Sequence, residues 1–264
     1  MTREEIRNKI FAHLRQQIGW IKANPNQIQQ FQLGQIYHLF QPSELPAWEQ
    51  TKVQSIAREI FQELENCGYV YEGQAGGMGD ASQYPWFTIT EYGKEALLSE
   101  DWLPYDPEGY VKALKNKVPT MDEITLSYIG EAVAAYNRRH LLSATITLGV
   151  ASENLMLLLI ETYTGWLAAS RKASFQKKIA GRFISSQYKE FKREFTNDVK
   201  SFSKDIQVNW ETYLDGVFNF IRFNRNDAGH PTGKLFDAKV IYANLQIFAD
   251  YAQFVLNLNQ LFKK

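Results

Sequence analysis

The spacing of apolar residues near the end of the chain constrains its fold most strongly. Across residues 237–262, apolar positions alternate between steps of four and three: Ile241, Leu245, Phe248, Ala252, Val255, Leu258 and Phe262. Residues 205–223 follow the same rule, with Ile206, Trp210, Tyr213, Val217 and Phe220. Helices that pack nearly antiparallel in a bundle require a mean step of about 3.5 residues. The spacing therefore predicts two helices of a bundle.

Three further segments of the second half are predicted to be helical. Residues 122–138 form one helix, and residues 141–167 form another with few polar positions in its middle turns, which favours the centre of a bundle. Residues 171–204 are amphipathic, and their apolar side carries Phe175, Ile179, Phe183, Phe191, Phe195 and Phe202. Together these segments predict an up-down helical bundle over residues 122–264.

The first half mixes helical and extended patterns. Helical periodicity predicts helices at residues 4–21, 32–40, 47–66 and 91–98. Short runs rich in aromatic and β-branched residues predict strands at 69–71 and 86–89, with a flexible, glycine-rich hairpin tip at 73–80 between them. Thr90 is placed to cap the last helix.

This order of elements resembles a winged-helix domain, and so does the segment Ile-Thr-Glu-Tyr-Gly-Lys-Glu-Ala-Leu at residues 89–97. The resemblance covers residues 4–99. The predicted fold is thus mainly α: a winged-helix-like α+β domain at 1–100, a linker at 101–121 and an up-down helical bundle at 122–264. The linker is interrupted by Pro104, Pro107, Gly109 and Pro119.

The charges of the first domain argue against DNA binding. Its candidate recognition helix, residues 47–66, carries Lys52 and Arg58 against four acidic residues, and residues 73–85 carry no basic residue. A DNA reader needs several Lys or Arg to neutralise phosphates. Contact with a protein partner or with another copy is the favoured role, and a DNA-binding regulator is a less favoured alternative.

Basic residues gather in the second half. Residues 171–204 hold ten basic and three acidic residues, although the whole chain has no net charge. A polyanion would be attracted there, and RNA is the predicted partner. The candidate RNA-binding residues are Lys177, Lys178, Arg182, Lys189, Lys192 and Arg193. The alternative is a solvated helical face without a ligand.

Composition points to a cytoplasmic protein that needs no cofactor. The polar first ten residues do not predict a secretory signal, and the longest strongly apolar run, residues 155–160, is far too short to span a membrane. Cys67 is the sole cysteine, so an internal disulfide is impossible and no metal site is predicted. Motifs for phosphate loops, zinc proteases and serine hydrolases do not occur.

The segment Phe-Asn-Arg-Asn-Asp-Ala-Gly-His-Pro at residues 223–231 carries the strongest chemical signal. Gly229 can close a helix in the left-handed conformation, and Pro231 cannot continue one. Such a break would let His230 leave the helical path and approach Arg225. A permanent cation and a titratable imidazole would then face the same space.

This segment resembles the motif of the HEPN superfamily, with Arg225, Asn226 and His230 matching as Arg-Asn-x-x-x-His. Residues 148–158 look like the core helix of that family, in which small residues precede a glutamate, here Glu153. The resemblance covers residues 120–262, so the predicted bundle at 122–264 is HEPN-like, and the long basic segment departs from the resemblance. It implies a metal-independent endoribonuclease with a composite site across a homodimer, commonly a toxin or an anti-phage effector.

The expected chemistry is attack of an RNA 2′-OH on the adjacent phosphate. His230, with a reference pKa of about 6.5, can accept or donate the proton, and Arg225 can bind phosphate oxygens. Asn226 would orient either of these two side chains or the phosphate. Glu153 and Asp227 are supporting residues, with Glu153 pairing Arg225 or, alternatively, facing solvent. The competing interpretation is a non-catalytic interaction or regulatory protein in which Arg225 and His230 only cap a helix or lie at the surface.

Overall fold

The structure is a computed structural model, and it describes residues 1–27, 31–40, 46–73, 85–98, 107–230 and 236–263. These residues are mainly helical, with one small sheet, which confirms the predicted mainly α fold class. Internal contacts divide the chain into two compact units, Met1–Tyr105 and Asp106–Lys264. The second unit holds the motif.

In the described residues of the first unit, helices alternate along the sequence with the strands of a small antiparallel sheet. Its elements are α1 (Arg3–Ala23), β1 (Phe31–Gln32), α2 (Leu33–His38), α3 (Ala47–Asn66), β2 (Val70–Glu72), β3 (Trp86–Ile89) and α4 (Glu91–Leu98). Strand β3 lies between the other two, with Phe87 opposite Phe31 on one side and Glu72 on the other. The order agrees with the prediction apart from the added β1, and the winged-helix resemblance stays a prediction. The predicted hairpin tip lies outside the described residues except for Gly73.

Apolar stripes and caps explain these elements. Thr2 and Glu5 form a capping box at the start of α1. The predicted stripe of that helix is buried in one cluster with Phe87, whose ring lies 5.0 Å from that of Phe61. The Thr90 hydroxyl accepts a hydrogen bond of 2.8 Å from the Gly93 N–H, so it caps α4 as predicted.

The linker prediction is wrong for residues 107–121. Helix α5 (Pro107–Lys117) forms there and belongs to the second unit. Pro107 is its first residue, a position at which proline loses no helical hydrogen bond, so it starts the helix instead of interrupting it. The buried Tyr110 hydroxyl donates to the Leu245 carbonyl at 2.6 Å, and Leu114 is also buried. Residues 101–106 lie outside the described residues.

The rest of the second unit is helical in the described residues. Its helices are α6 (Glu123–Asn137), α7 (Leu141–Trp166), α8 (Ala169–Ile179), α9 (Ile184–Asp198), α10 (Lys204–Trp210), α11 (Phe218–Ala228) and α12 (Ala238–Phe262). A short 3-10 turn, Val199–Ser201, follows α9, and a π-helical segment, Glu211–Val217, joins α10 to α11. The predicted bundle helices are thus present, with α7 packed against α6, α11 and α12.

Helix α7 is the apolar centre of this unit. In the part of the chain that the structure describes, it is also the one helix long and apolar enough to cross a membrane. Its most apolar stretch is 56% buried inside the fold. Contact with three neighbouring helices accounts for that composition.

The basic segment 171–204 is two helices joined by a turn. Phe175, Phe191 and Phe195 are buried as predicted, but Phe183 is 87% exposed. Gly181 causes the difference, because its φ of +66° ends the helical path before Phe183. The prediction that Phe183 belongs to the apolar side is therefore wrong.

The stripe predicted over residues 205–223 also changes phase. Ile206, Trp210 and Val217 are buried as expected, whereas Phe220 is 51% exposed and Ile221 is buried instead. The π-helical segment lies between the two parts of the stripe. A π turn holds more residues than an α turn, so it shifts the face that the following helix buries.

Candidate active site

Arg225 is seated on the central helix by a glycine. The last turn of α11 crosses α7 at Gly149. A Cβ added to Gly149 would lie 2.3 Å from Arg225 Cγ and 2.4 Å from Arg225 Cβ, both sterically impossible. The stem of Arg225 therefore occupies the space that any other residue at 149 would fill. In the sequence, Gly149 is one of the small residues that precede Glu153, and a glycine inside an apolar helix is a signal of close packing.

The guanidinium of Arg225 pairs with Glu153, one turn further along α7. The distance from Arg225 Nη2 to Glu153 Oε2 is 3.6 Å, and the two side chains are 36% and 14% exposed. The predicted pairing is thus present, and the alternative of a solvent-facing Glu153 is wrong. Arg225 Nη1 also donates to Asn226 Oδ1 at 3.3 Å. The carboxylate holds the cation in place, while more than a third of the arginine side chain stays accessible to a ligand.

The end of the helix differs from the prediction. Gly229 has φ −76° and ψ −6°, which is right-handed helical geometry, so the predicted left-handed closure is wrong. Its N–H donates to the Arg225 carbonyl at 2.9 Å, which continues the helical hydrogen-bonding pattern. Pro231 itself lies outside the described residues, but its ring lacks an N–H and restricts the residue before it. Proline chemistry, without a left-handed glycine, is sufficient to stop the helix here.

His230 is exposed at this end. Within the described residues it makes no hydrogen bond or ion pair, and the structure records no contact between His230 and Arg225. The predicted approach of the imidazole to the guanidinium is therefore not made inside one chain. Asn226 and Asp227 are half-buried between the two.

Two aromatic side chains are exposed on the same helix just before the motif. Phe220 and Phe223 are 51% and 59% exposed. They are three residues apart, so they lie on one face of α11. An apolar surface thus borders the residues of the motif.

The six candidate RNA-binding cations fall into two groups. Lys178 pairs with Glu194 at 3.2 Å, Lys192 with Asp215 at 2.5 Å, and Arg193 with Glu190. Burial alone would raise the pKa of Glu194 and that of Asp215, but hydrogen bonds from the partners outweigh it and lower both pKa values. These three cations stabilise the unit through its own carboxylates.

Lys177, Arg182 and Lys189 form the second group. All three are exposed, and they have no ion pair with any residue that the structure describes. They lie at the end of α8, in the following turn and on α9. Among the six candidates, those without an ion pair to a described residue therefore lie around the α8–α9 turn.

The described residues contain no group of three or more His, Cys, Asp or Glu side chains that could hold a metal ion. A cavity of about 650 Å³ lies between α7 and the α8–α9 pair, lined mainly by uncharged side chains together with Glu161 and Lys172. The chemistry available at the motif is thus that of one guanidinium, one amide and one exposed imidazole per chain.

Comparison with known proteins does not extend this picture. No protein-family model, no curated protein and no solved structure matches the chain.

Proposed function

We propose that the chain is a metal-independent endoribonuclease of the HEPN type that acts as a homodimer. The observation that carries the proposal is the seating of Arg225 on Gly149, with Glu153 as its ion-pair partner and Asn226 beside it. This arrangement holds a partly exposed cation at a helix end that also carries an exposed histidine. Two copies of this arrangement would supply the groups that transesterification of RNA requires.

The reaction is an attack of a ribose 2′ oxygen on the neighbouring phosphorus. One His230 accepts the 2′-OH proton, the new O–P bond forms, and the bond from phosphorus to the 5′ oxygen breaks. A second imidazolium donates its proton to the departing 5′ oxygen. Arg225 stabilises the charge that builds up on the non-bridging oxygens. The products are a 2′,3′-cyclic phosphate and a free 5′-OH.

A second copy supplies the second histidine. One chain offers a single His230, and that side chain is exposed and makes no hydrogen bond to the described residues. Phe220 and Phe223 are exposed beside the motif. A twofold contact through α11 would bury these rings and bring the two motifs together. The exposed imidazole and its aromatic border support this dimer.

The wider setting of the protein follows from the same resemblance. We place it in the cytoplasm, in a toxin system or in defence against phage. The winged-helix-like unit would contact a protein partner, because its third helix carries more acidic than basic residues. No cofactor takes part in the proposed reaction.

A non-catalytic interaction or regulatory protein is the second candidate. The ion pair with Glu153 favours it, because this contact gives Arg225 a structural role that needs no substrate. In this alternative the bundle dimerises and the first unit binds a partner.

Cleavage of a mixed RNA pool separates the two candidates. We expect Arg225→Ala and His230→Ala to abolish cleavage by the full chain, and chelator to leave the wild type active. Arg138→Ala and His140→Ala are the matched controls, since both residues are exposed in the same unit, outside the motif. They should cleave like the wild type. A wild-type protein that cleaves no RNA, with cyclic phosphate ends never formed, would leave the regulatory protein as the conclusion.

A further inference from the structure

We propose that the α8–α9 turn, with Phe183 at its tip, binds single-stranded RNA. The inference rests on the proposed function, because it assigns a binding surface for the substrate of that activity. We call the set Lys177, Arg182, Phe183 and Lys189 the basic turn.

Phe183 occupies a position that local stability does not explain. Its side chain is 87% exposed, and it stands at the N-cap of α9, where Ser, Thr, Asp or Asn normally caps the helix. The turn around it is ordered by hydrogen bonds. Gln187 Nε2 donates to the Arg182 carbonyl at 2.7 Å, and the backbone N–H groups of Ser186 and Gln187 donate to the Phe183 carbonyl. These bonds fix the backbone that carries the ring, and the exposed ring is open to a stacking partner.

The charge around Phe183 fits a polyanion. Lys177, Arg182 and Lys189 are exposed, and none has a carboxylate partner in the part of the chain that the structure describes. The neighbouring cations Lys178 and Lys192 are, by contrast, neutralised by acidic residues. Three cations without a described carboxylate partner thus lie on the two helices and the turn that carry Phe183.

A groove lies beside the basic turn, between α7 and the α8–α9 pair. The cavity of about 650 Å³ is lined by Leu157 and Glu161 of α7 and by Lys172 and Gln176 of α8. Leu157 lies one turn beyond Glu153, the ion-pair partner of Arg225, on the same face of α7. Helix α7 thus carries both the partner of Arg225 and one wall of the groove.

Single-stranded RNA is the partner that fits these features. An aromatic ring exposed on both faces stacks on an unpaired base, and cations beside it neutralise the backbone. The bases of an A-form duplex are already stacked inside the helix and are closed to such a ring. Glu161 would repel a phosphate, so the groove itself takes bases and sugars, while the phosphates lie against the basic turn. Phenylalanine has no polar group to read a base, so we expect weak sequence preference.

Fluorescence anisotropy with a short labelled oligouridine tests the surface. The full chain carries His230→Ala so that the probe stays intact, and binding is measured over a range of salt concentrations. We expect Phe183→Ala to weaken binding about 5- to 150-fold at every salt concentration, the loss of one stacked base. Phe183→Trp should restore it. The triple variant Lys177→Ala, Arg182→Ala, Lys189→Ala should reduce the slope of log K against log salt by about two, since each phosphate contact on a single strand contributes about 0.7.

Matched controls and competing ligands decide the result. Trp48→Ala removes a ring that is 69% exposed in the first unit, and Lys200→Ala removes an exposed cation of the second unit; neither should change binding. Binding that Phe183→Ala leaves unchanged would overturn the proposal, as would equal affinity for a duplex of the same length. Vesicles of phosphatidylserine that bind through Phe183 when oligouridine does not would also overturn it. Binding that follows the expected pattern, in a chain whose wild type never cleaves RNA, would uphold this surface and reject the ribonuclease.

Discussion

Replacing Gly149 by alanine tests the packing on which the candidate site depends. The added Cβ would lie 2.3 Å from Arg225 Cγ and 2.4 Å from Arg225 Cβ. Non-bonded carbon atoms prefer about 3.5–4.0 Å, so one helix must move by roughly 1 Å. Overpacking of this kind costs about 1–3 kcal/mol, whereas alanine is favoured over glycine inside a helix by about 1 kcal/mol. We expect a net destabilisation of up to about 2 kcal/mol and a displaced guanidinium.

Thermal unfolding followed by circular dichroism measures the first effect, and cleavage of the RNA pool measures the second. Gly130→Ala in α6 is the control, because its Cβ would meet Val111 Cγ2 at an ordinary 3.7 Å. The control should raise Tm slightly and keep activity. Gly149→Ala should lower Tm and reduce cleavage as far as Arg225→Ala does.

The partner of the clash is identified by a double-mutant cycle. Arg225→Gly removes both atoms that the new Cβ would meet. In that background Gly149→Ala should be neutral or stabilising, so the two changes should couple by about 1–3 kcal/mol. A Gly149→Ala variant that raises Tm like Gly130→Ala while Arg225 is present would refute the reasoning.

Two further predictions concern the stability of the second unit. Burial opposes the charge of Asp198, but hydrogen bonds from Arg171 and Tyr163 outweigh it and lower its pKa. A carboxyl whose pKa is lowered in the folded state stabilises the fold above about pH 4, and this stabilisation is lost as pH falls through the folded-state pKa. The difference in Tm between wild type and Asp198→Asn should therefore shrink below about pH 4. A difference in Tm that stays constant with pH would contradict the role given to Asp198. Tyr110→Phe removes the hydrogen bond to the Leu245 carbonyl and should cost about 0.5–1.5 kcal/mol in urea unfolding, because that carbonyl lies inside α12 and keeps its helical donor. An unchanged midpoint would show that α5 is not anchored there.

Periodicity predicted the helices because it reports which face of a segment is buried. The predicted range 47–66 matches α3, and Asp122 caps α6 at the start of the predicted helix 122–138. The pairing of Glu153 with Arg225 could also be anticipated, since a carboxylate on an apolar stripe requires a nearby cation.

The errors arose where one residue changes the direction of the chain. The sequence pattern predicts an interruption at Pro107, but Pro107 is the first residue of α5. Gly181 adopts the left-handed conformation that was expected at Gly229, and Phe183 is exposed as a result. Local sequence identifies residues that permit a turn, but the surrounding packing decides which of them makes it. The contact of Arg225 with Gly149 joins distant parts of the chain, so no local pattern could have specified it.

The π-helical segment Glu211–Val217 makes the orientation of Arg225 depend on the number of residues before it in the chain. A turn closed by i→i+5 bonds accommodates an added residue without breaking the helix. Deleting one residue there would rotate everything downstream by about 100° about the helix axis. Arg225 would then leave Gly149, although its own sequence neighbourhood had not changed. Related chains that keep Arg225 and His230 but differ by one residue across this segment should therefore have lost the orientation of the guanidinium.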